Sequence, residues 1–145
     1  MYRHILIPSD GSPLSERALR EGIALAKALG AKVTALTVSL PFDNLAVDPV
    51  MVTTTAAQYE KDCEALAERT LGIAKGEAAT AGVACETLHL IRDHPYQAIV
   101  ETAGTKGCDL ICMASHGRKG ISALALGSEA NKVLTHSKIP VLVCR

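Results

Sequence analysis

The chain alternates short apolar runs with longer segments in which apolar residues recur at helical spacing. Ile5-Leu6-Ile7 is a short apolar run that ends at Pro8, and residues 32 to 40 form a second run rich in Val, Thr and Leu. Between them, apolar residues recur at helical spacing from Pro13 until Gly30. Short apolar runs are typical of buried strands, and the longer repeat is typical of an amphipathic helix. This part of the chain is therefore predicted to form a strand–helix–strand unit.

The same alternation continues to the end of the chain. Residues 41–54 have no steady period and are predicted to form an irregular loop. The remaining predicted elements are a long helix with Tyr59, Cys63, Leu66 and Thr70 on one face that ends at Gly82, a strand over 83–91, a helix from Pro95 to near Gly107, a strand over 110–114, a helix over about 128–136 and a strand over 139–144. Strands that alternate with helices indicate an α/β fold, with a mostly parallel sheet and helices on both faces.

Length and composition fit one domain that spans residues 1–145. A chain of 145 residues can bury a sizeable core. Apolar residues make up 48% of it, but there is no Trp, only one Phe and three Tyr, so the core is expected to consist of Ala, Val, Leu and Ile. The sequence shows no internal repeat and no low-complexity tract.

Charge and cysteine usage exclude several classes of protein. Basic and acidic residues each number 15 and the basic ones are scattered, whereas nucleic-acid binding depends on clustered cations. The five cysteines have no regular framework, which argues against a secreted disulfide scaffold. No apolar stretch approaches the ~20 residues of a membrane span. We therefore expect a cytoplasmic protein with neither nucleic acid nor membrane as a partner.

Three loops, after Ile7, Val38 and Met113, are candidates for a ligand site, and the last has two features that suit phosphate. In an open parallel sheet, ligands bind beyond the carboxyl ends of the strands, where the strand order reverses. Gly117 and Gly120 of this loop permit positive φ, which can turn successive N–H groups toward one anion. Gly127-Ser128 then starts a helix, and helix N-termini favour negative charge.

The loop matches neither of two familiar phosphate-binding patterns. It lacks the G-x-x-x-x-G-K-[ST] spacing of a Walker A loop, and Asp10-Gly11-Ser12 stands where a Rossmann fingerprint would begin. On spacing alone, an anion site and an ordinary glycine turn followed by a helix cap both remain open.

Both ends of the chain resemble the universal stress protein family. The resemblance is carried by RHILIPSDGSPLSERALREGIALAKALGAKVTALTV and by DLICMASHGRKGISALALGSEANKVLTHSKIPVLVCR. The family's nucleotide signature is Gly, two residues, Gly, nine residues, Gly and then Ser or Thr. Here Gly117 is followed by nine residues, 118–126, and then by Gly127-Ser128, while Ala114 replaces the first glycine. The replacement adds one methyl group where the strand ends beside the ligand.

The resemblance implies a Rossmann-like fold that binds ATP. It implies an open, doubly wound, parallel five-stranded sheet with strand order 3-2-1-4-5. Asp10 matches the acid that contacts ribose, although by itself it is typical of a turn or a helix entry. Val38 matches the position whose backbone meets adenine, although by itself it is typical of a core strand.

The resemblance also assigns the residues around the phosphates and the sugar. His116 and Arg118-Lys119 have the alternative interpretation of solvated loop residues, but Arg118 or Lys119 is a candidate for direct phosphate contact. Mg²⁺ is expected only as the companion of the nucleotide phosphates. The matching positions are Met113, Gly117, Gly127, Ser128 and Glu129, the last through its backbone N–H, and Pro8, Ala114, His116 and Arg118 complete the candidate cofactor-binding set.

These residues favour a regulatory ATP-binding protein over an enzyme. The loop offers N–H groups and the hydroxyls of Ser115 and Ser128, but no obvious carboxylate or glutamine aimed at an attacking water, so no catalytic residues are assigned and slow or no turnover is expected. The alternative is a dimeric interaction scaffold of the same fold that binds no nucleotide. Retention of Gly117 and Gly127-Ser128 favours nucleotide binding.

The last strand predicts self-association. Residues 139–144 are apolar, and the strand order that the resemblance implies puts them at the sheet edge. An uncovered apolar edge invites pairing with another chain, so a homodimer formed by these strands around a two-fold axis is expected.

Overall fold

The computed structural model describes residues 1–45, 55–117 and 125–145. Strands and helices alternate as the sequence predicts, and a short 3₁₀ helix begins the predicted loop, of which residues 46–54 lie outside the described residues. In chain order the elements are β1 (His4–Pro8), α1 (Pro13–Leu29), β2 (Lys32–Ser39), the 3₁₀ helix (Phe42–Leu45), α2 (Ala56–Ala81), β3 (Cys85–Ile91), α3 (Pro95–Lys106), β4 (Leu110–Ala114), α4 (Ser128–His136) and β5 (Val141–Cys144).

The five strands form one parallel sheet with the order β3-β2-β1-β4-β5. The expected order 3-2-1-4-5 is confirmed. In the central strand, Ile5 is in register with Val33 of β2 on one side and with Leu110 of β4 on the other. No helix in the described part of the chain is long and apolar enough to cross a membrane.

Helices cover both faces of the sheet. Side chains alternate along β1, so that Ile5 and Ile7 belong to a core on the side of α1 and α2, and Leu6 belongs to a core on the side of α3 and α4. All three are fully buried. Alanines such as Ala26 and Ala78 fill much of the first core, as expected from a chain so poor in aromatic residues.

Local signals account for the bounds of α1. The Ser12 side chain accepts a hydrogen bond from the Ser15 N–H, Pro13 stands at the first helical position, and Gly30 adopts the left-handed conformation that ends the helix. These three roles are confirmed.

The buried face of α2 differs from the predicted one. Thr70 is buried, but Tyr59, Cys63 and Leu66 are only half-buried, and the other buried residues of the helix are Ala67, Ala74 and Ala78. The periodicity identified the helix correctly. The buried face follows the small residues instead, because they let α2 approach α1 and the sheet closely.

Two strands are shorter than predicted at their amino ends. Val83 donates its N–H to Ala78 O and so belongs to the end of α2, not to β3. Before β5, Pro140 has no N–H to donate to a ladder, although its carbonyl accepts from Ile111 N at 3.0 Å.

Candidate functional site

The chain reverses its winding between β1 and β4. The connection after β1 leads into α1 on one face of the sheet, and the connection after β4 leads to α4 on the other. Connections that leave adjacent strands in opposite directions open a crevice at the carboxyl edge, where open α/β sheets bind ligands. An open cleft of about 480 Å³ lies there, and it is lined by Gly11, Ser12, Pro13, Leu14 and Gly117.

Asp10 shapes the turn between β1 and α1. Its Oδ1 accepts a hydrogen bond from Ser12 N at 2.9 Å, and Gly11 between them has a φ of 80°. The turn role that the sequence indicates for Asp10 is thereby confirmed. Two further bonds extend the contact with β2 beyond β1, because Ser9 N donates to Leu36 O at 2.8 Å and Thr37 Oγ1 donates to Ser9 O at 3.0 Å.

Asp10 also faces the loop after β4. A side chain at Gly117 would overlap Asp10 Oδ2, so the loop approaches the carboxylate as closely as a glycine allows. Two residues more than a hundred positions apart are thus neighbours across the crevice.

Gly117 does not adopt the positive φ that a glycine permits. Among the described glycines, only Gly11, Gly30, Gly82 and Gly107 have positive φ. Gly117 instead lies against the Asp10 carboxylate, and a side chain there would require that carboxylate to move. Gly120 lies outside the described residues.

Gly127, at the end of the loop after β4, lies against Ser115 and His116 at the start of that loop. Its N–H donates to Ser115 O at 2.7 Å, and its carbonyl accepts from Asn131 N at 3.0 Å as the N-cap of α4. A Cβ on Gly127 would lie 2.9 Å from both Ser115 O and His116 Cα, which are backbone atoms that cannot move aside. The glycine therefore lets the N-terminus of α4 approach the end of β4.

Ser115 and His116 form a pair at the start of this loop. Ser115 is buried, and its Oγ lies 3.0 Å from His116 Nδ1. The hydroxyl that the sequence offered as an anion donor is therefore engaged with the imidazole of the next residue.

The other predicted site residues cluster at the same edge of the sheet. Pro8 ends β1 and is half-buried, as is Val38 near the end of β2, which packs against the core on the α3 and α4 side. Met113 and Ala114 end β4, and the Ala114 methyl is buried in the core on the α1 and α2 side. That packing accommodates the departure from the family signature.

The N-terminus of α4 completes the edge. Ser128 and Glu129 are its first two residues, and Ser128 is exposed. Gly127 has no side chain to cap the first turn, so the N–H groups of Ser128, Glu129 and Ala130 stand at the positive end of the helix. Arg118 and Lys119 lie outside the described residues.

Sequence reasoning missed part of the cleft wall. Gly11, Ser12 and Leu14 line it, and Ser9 before them is bonded to β2. The available signal was the Asp10-Gly11 turn followed directly by a capped helix. Among the described residues, no group of three or more His, Cys, Asp or Glu side chains is arranged to hold a metal ion.

Comparisons with known proteins agree with this architecture. The model of a family described as the universal stress protein family matches residues 1–145. The universal stress protein MJ0531 of Methanocaldococcus jannaschii is 33% identical over 148 residues, which cover 100% of this chain and 83% of that protein.

Two solved structures extend the comparison. The protein MJ0577, also from Methanocaldococcus jannaschii, superposes with a TM-score of 0.82 at 27% identity, covering 99% of this chain and 96% of that one. A universal stress protein in complex with cAMP superposes with a TM-score of 0.71 at 25% identity, covering 99% of this chain and 97% of that one.

Proposed function

The chain belongs to the universal stress protein family, and we propose that it binds ATP in the crevice between the β1–α1 turn and the loop after β4. The observation that carries this proposal is the contact of Asp10 with Gly117 beside the uncapped N-terminus of α4. An acid, a glycine-lined cleft and a helix N-terminus without a side-chain cap among the described residues then lie at the edge where the connections after β1 and β4 leave in opposite directions. The cAMP complex of a relative with the same fold supports an adenine nucleotide as the ligand.

Each part of the nucleotide has a candidate partner. The N–H groups of Gly127, Ser128 and Glu129 suit the phosphates, which a helix N-terminus attracts through both hydrogen bonds and the helix dipole. The Asp10 carboxylate suits the ribose hydroxyls, because Oδ1 is held in the turn and Oδ2 faces the opposite loop. The backbone of Val38 suits the adenine. Met113, Pro8 and Ala114 support these positions from the strand ends.

Arg118 and Mg²⁺ complete the proposal at the phosphates. Arg118 or Lys119 would provide a cation for the terminal phosphates, and His116 belongs to the same candidate set. Mg²⁺ is proposed to come with the nucleotide, held chiefly by phosphate oxygens and water, as this ion prefers.

We propose that bound ATP is sensed and hydrolysed slowly or not at all. Fast phosphoryl transfer needs a residue that orients the attacking group and charges that stabilise the transition state. The Asp10 carboxylate is engaged in a turn, and the His116 Nδ1 is engaged with Ser115. We therefore expect phosphate release far below the ~1–100 s⁻¹ of dedicated kinases. A steady-state release assay checks this, with Gly127→Val as the contamination control. A rate in the kinase range that the variant loses would identify an enzyme.

The binding test uses two substitutions in the crevice. Gly117→Val inserts a branched side chain where Asp10 Oδ2 lies and should abolish ATP binding measured by calorimetry. Asp10→Asn keeps an oxygen for the Ser12 N–H but removes the charge, so it should weaken ATP binding while the fold persists. As the control, Gly76→Val places the same side chain on the exposed face of α2, where nothing lies within 4 Å, and should bind ATP as the wild type does.

Two outcomes would overturn ATP binding. Equal affinity in the wild type and in a folded Gly117→Val variant would refute the site. Absence of adenine nucleotide both from the denatured purified protein, by mass spectrometry, and from the titration would favour the interaction scaffold instead.

The wider role follows from binding without turnover. We propose that residues 1–145 act as one cytoplasmic domain. Partner proteins would recognise whether ATP is bound to it during a stress response. We also propose that it works as a homodimer joined through β5, with no nucleic acid or membrane as partner.

A further inference from the structure

The N-termini of α3 and α4 are joined by one side chain. Glu129, the second residue of α4, accepts a hydrogen bond at its Oε2 from the backbone N–H of Tyr96 at 2.9 Å. Tyr96 is the second residue of α3, and the N-cap of that helix, His94, makes no side-chain cap bond. Pro95 has no N–H to satisfy. Glu129 therefore supplies the side-chain cap that His94, the N-cap residue of α3, does not provide.

The same carboxylate is held from a second side. Its Oε1 lies 3.6 Å from Lys132 Nζ, almost one turn further along α4. Lys132 Nζ in turn lies 5.5 Å from the centre of the Tyr96 ring, which packs 5.0 Å from the His136 ring. Glu129 and Tyr96 are therefore kept together by the backbone bond and by side chains around it.

The bond to Tyr96 is the stronger of the two contacts. The ion pair is between side chains that are 41% and 49% exposed, and exposed pairs of this kind contribute little. A carboxylate that accepts a backbone N–H at a helix N-terminus gains from both the charged hydrogen bond and the helix dipole. Loss of the lysine should therefore matter less than loss of the acceptor oxygen.

The first turn of α4 has few other fixed points among the described residues. Deeper along the helix, Ala130 and Val133 pack in a core with Ile99 and Ala103 of α3. At the N-terminus of α4, the N-cap is Gly127, which has no side chain. Its N–H donates to Ser115 O and so holds this end of the helix beside the residue that follows β4. Glu129 supplies the hydrogen bond that holds the N-terminus of α4 on α3.

We propose that Glu129 is a positioning residue for the phosphates of the bound nucleotide. By anchoring the first turn of α4 on α3, it fixes the direction of the N–H groups of Ser128, Glu129 and Ala130. The contact also keeps the carboxylate on α3 and away from the end of its own helix, where a free carboxylate would compete with phosphate for the positive dipole. The inference rests on the proposed function, which assigns those N–H groups to the phosphates.

Three substitutions of Glu129 separate the acceptor from the charge. Glu129→Ala removes the acceptor and should weaken ATP binding about tenfold, the loss expected when one hydrogen bond that orders a binding element is removed. Glu129→Gln keeps an oxygen at the same reach and should restore affinity to within about twofold of the wild type. Glu129→Asp keeps the charge but is one methylene too short for Tyr96 N, so it should bind ATP no better than the alanine variant.

The readout that isolates positioning is the comparison of ATP with adenosine by calorimetry. Adenosine lacks the phosphates, so its affinity should be the same in all four proteins, whereas a general loosening of the domain would weaken both ligands. Lys132→Ala removes the neighbouring cation and leaves the Tyr96 bond, so it should bind ATP nearly as the wild type does. Hydrogen exchange at the Tyr96 amide should be faster in the alanine and aspartate variants and protected in the glutamine variant.

The outcomes distinguish this inference from the proposed function. A wild type that binds ATP, with Glu129→Ala binding it equally well, would overturn the positioning role alone. An equal loss of adenosine and ATP affinity in that variant would also overturn it, because the residue would then be merely structural. A wild type that binds neither ligand would overturn the proposed function and this inference with it.

Discussion

His4 shows how one buried residue ties stability to pH. It starts β1 at the amino edge of the sheet, opposite the crevice, and its Nε2 lies 2.7 Å from Thr34 Oγ1. Burial, followed by the positive charge of Lys32, holds the pKa of His4 below its ordinary value of 6.5, while a hydrogen bond with the Lys106 backbone and the charges of Asp109 and Glu86 oppose this shift. The folded protein therefore prefers the neutral imidazole.

This preference predicts a loss of stability in mild acid. The unfolded chain takes up a proton at His4 as the pH falls through about 6.5, whereas the folded chain does so only at lower pH. The free energy of unfolding should thus fall as the pH drops below that value. His4→Gln should flatten this fall between pH 7.5 and 5.5 in urea titrations, whereas His136→Gln on exposed α4 should retain it. Identical pH dependence in the wild type and His4→Gln would contradict the prediction.

At the scale of elements, α1 packs closely on the sheet at a glycine. Gly22 is buried in the middle of this helix, and a Cβ there would lie 2.6 Å from Ile7 Cδ1 and 3.2 Å from Cys112 Sγ. Ile7 and Cys112 are fully buried, so neither has free space to move into. The missing side chain sets how closely α1 approaches β1 and β4.

Two matched substitutions test this packing. Gly22→Ala gains up to about 1 kcal/mol of helix propensity but overpacks the core at a cost of about 1–3 kcal/mol, so the free energy of unfolding should decrease. Gly76→Ala has the same propensity gain in α2 with nothing within 4 Å of its Cβ, so the free energy of unfolding should increase by about 0.5–1 kcal/mol. Chemical denaturation measures both. If the Gly22→Ala variant had the same free energy of unfolding as the Gly76→Ala variant, the close packing of α1 on the sheet would be refuted.

The elements were predictable because their signals are local. The cap at Ser12 and the glycines Gly30, Gly82 and Gly107, which all adopt the left-handed conformation, mark helix ends within a few residues of the periodic segments. The strand order came from the family resemblance, since alternation alone indicates a parallel sheet without fixing which strands are neighbours.

Contacts between segments that are distant in the sequence were not predictable. The approach of Gly117 to Asp10 depends on β1 and β4 being neighbours, and the bond from Tyr96 N to Glu129 depends on how α3 packs on α4. Neither pair has a sequence spacing that brings it together. The sequence suggested a conformational role for Gly117, since a pattern of glycines does not show which side chain lies beside each one in the fold.

For the whole molecule, the two edges of the sheet differ in character. Within the described residues β5 pairs with β4 alone, and it consists of Val141, Leu142, Val143 and Cys144, with Leu142 43% exposed. The opposite edge strand, β3, contains the charged Glu86, which forms an ion pair with Lys106 of α3. Charged side chains at an edge oppose pairing with another chain, and an apolar edge favours it.

This asymmetry predicts a homodimer through β5. Two copies of one edge strand meet around a two-fold axis, and each then satisfies the free N–H and C=O groups of the other. Leu142→Lys should therefore give a folded monomer in analytical ultracentrifugation at micromolar concentration, because it puts like charges close to the axis. Ile91→Lys alters a side chain that is 49% exposed on β3 and should leave the dimer intact. A wild type that sediments as a monomer, or Ile91→Lys as the variant that dissociates, would exclude the β5 interface.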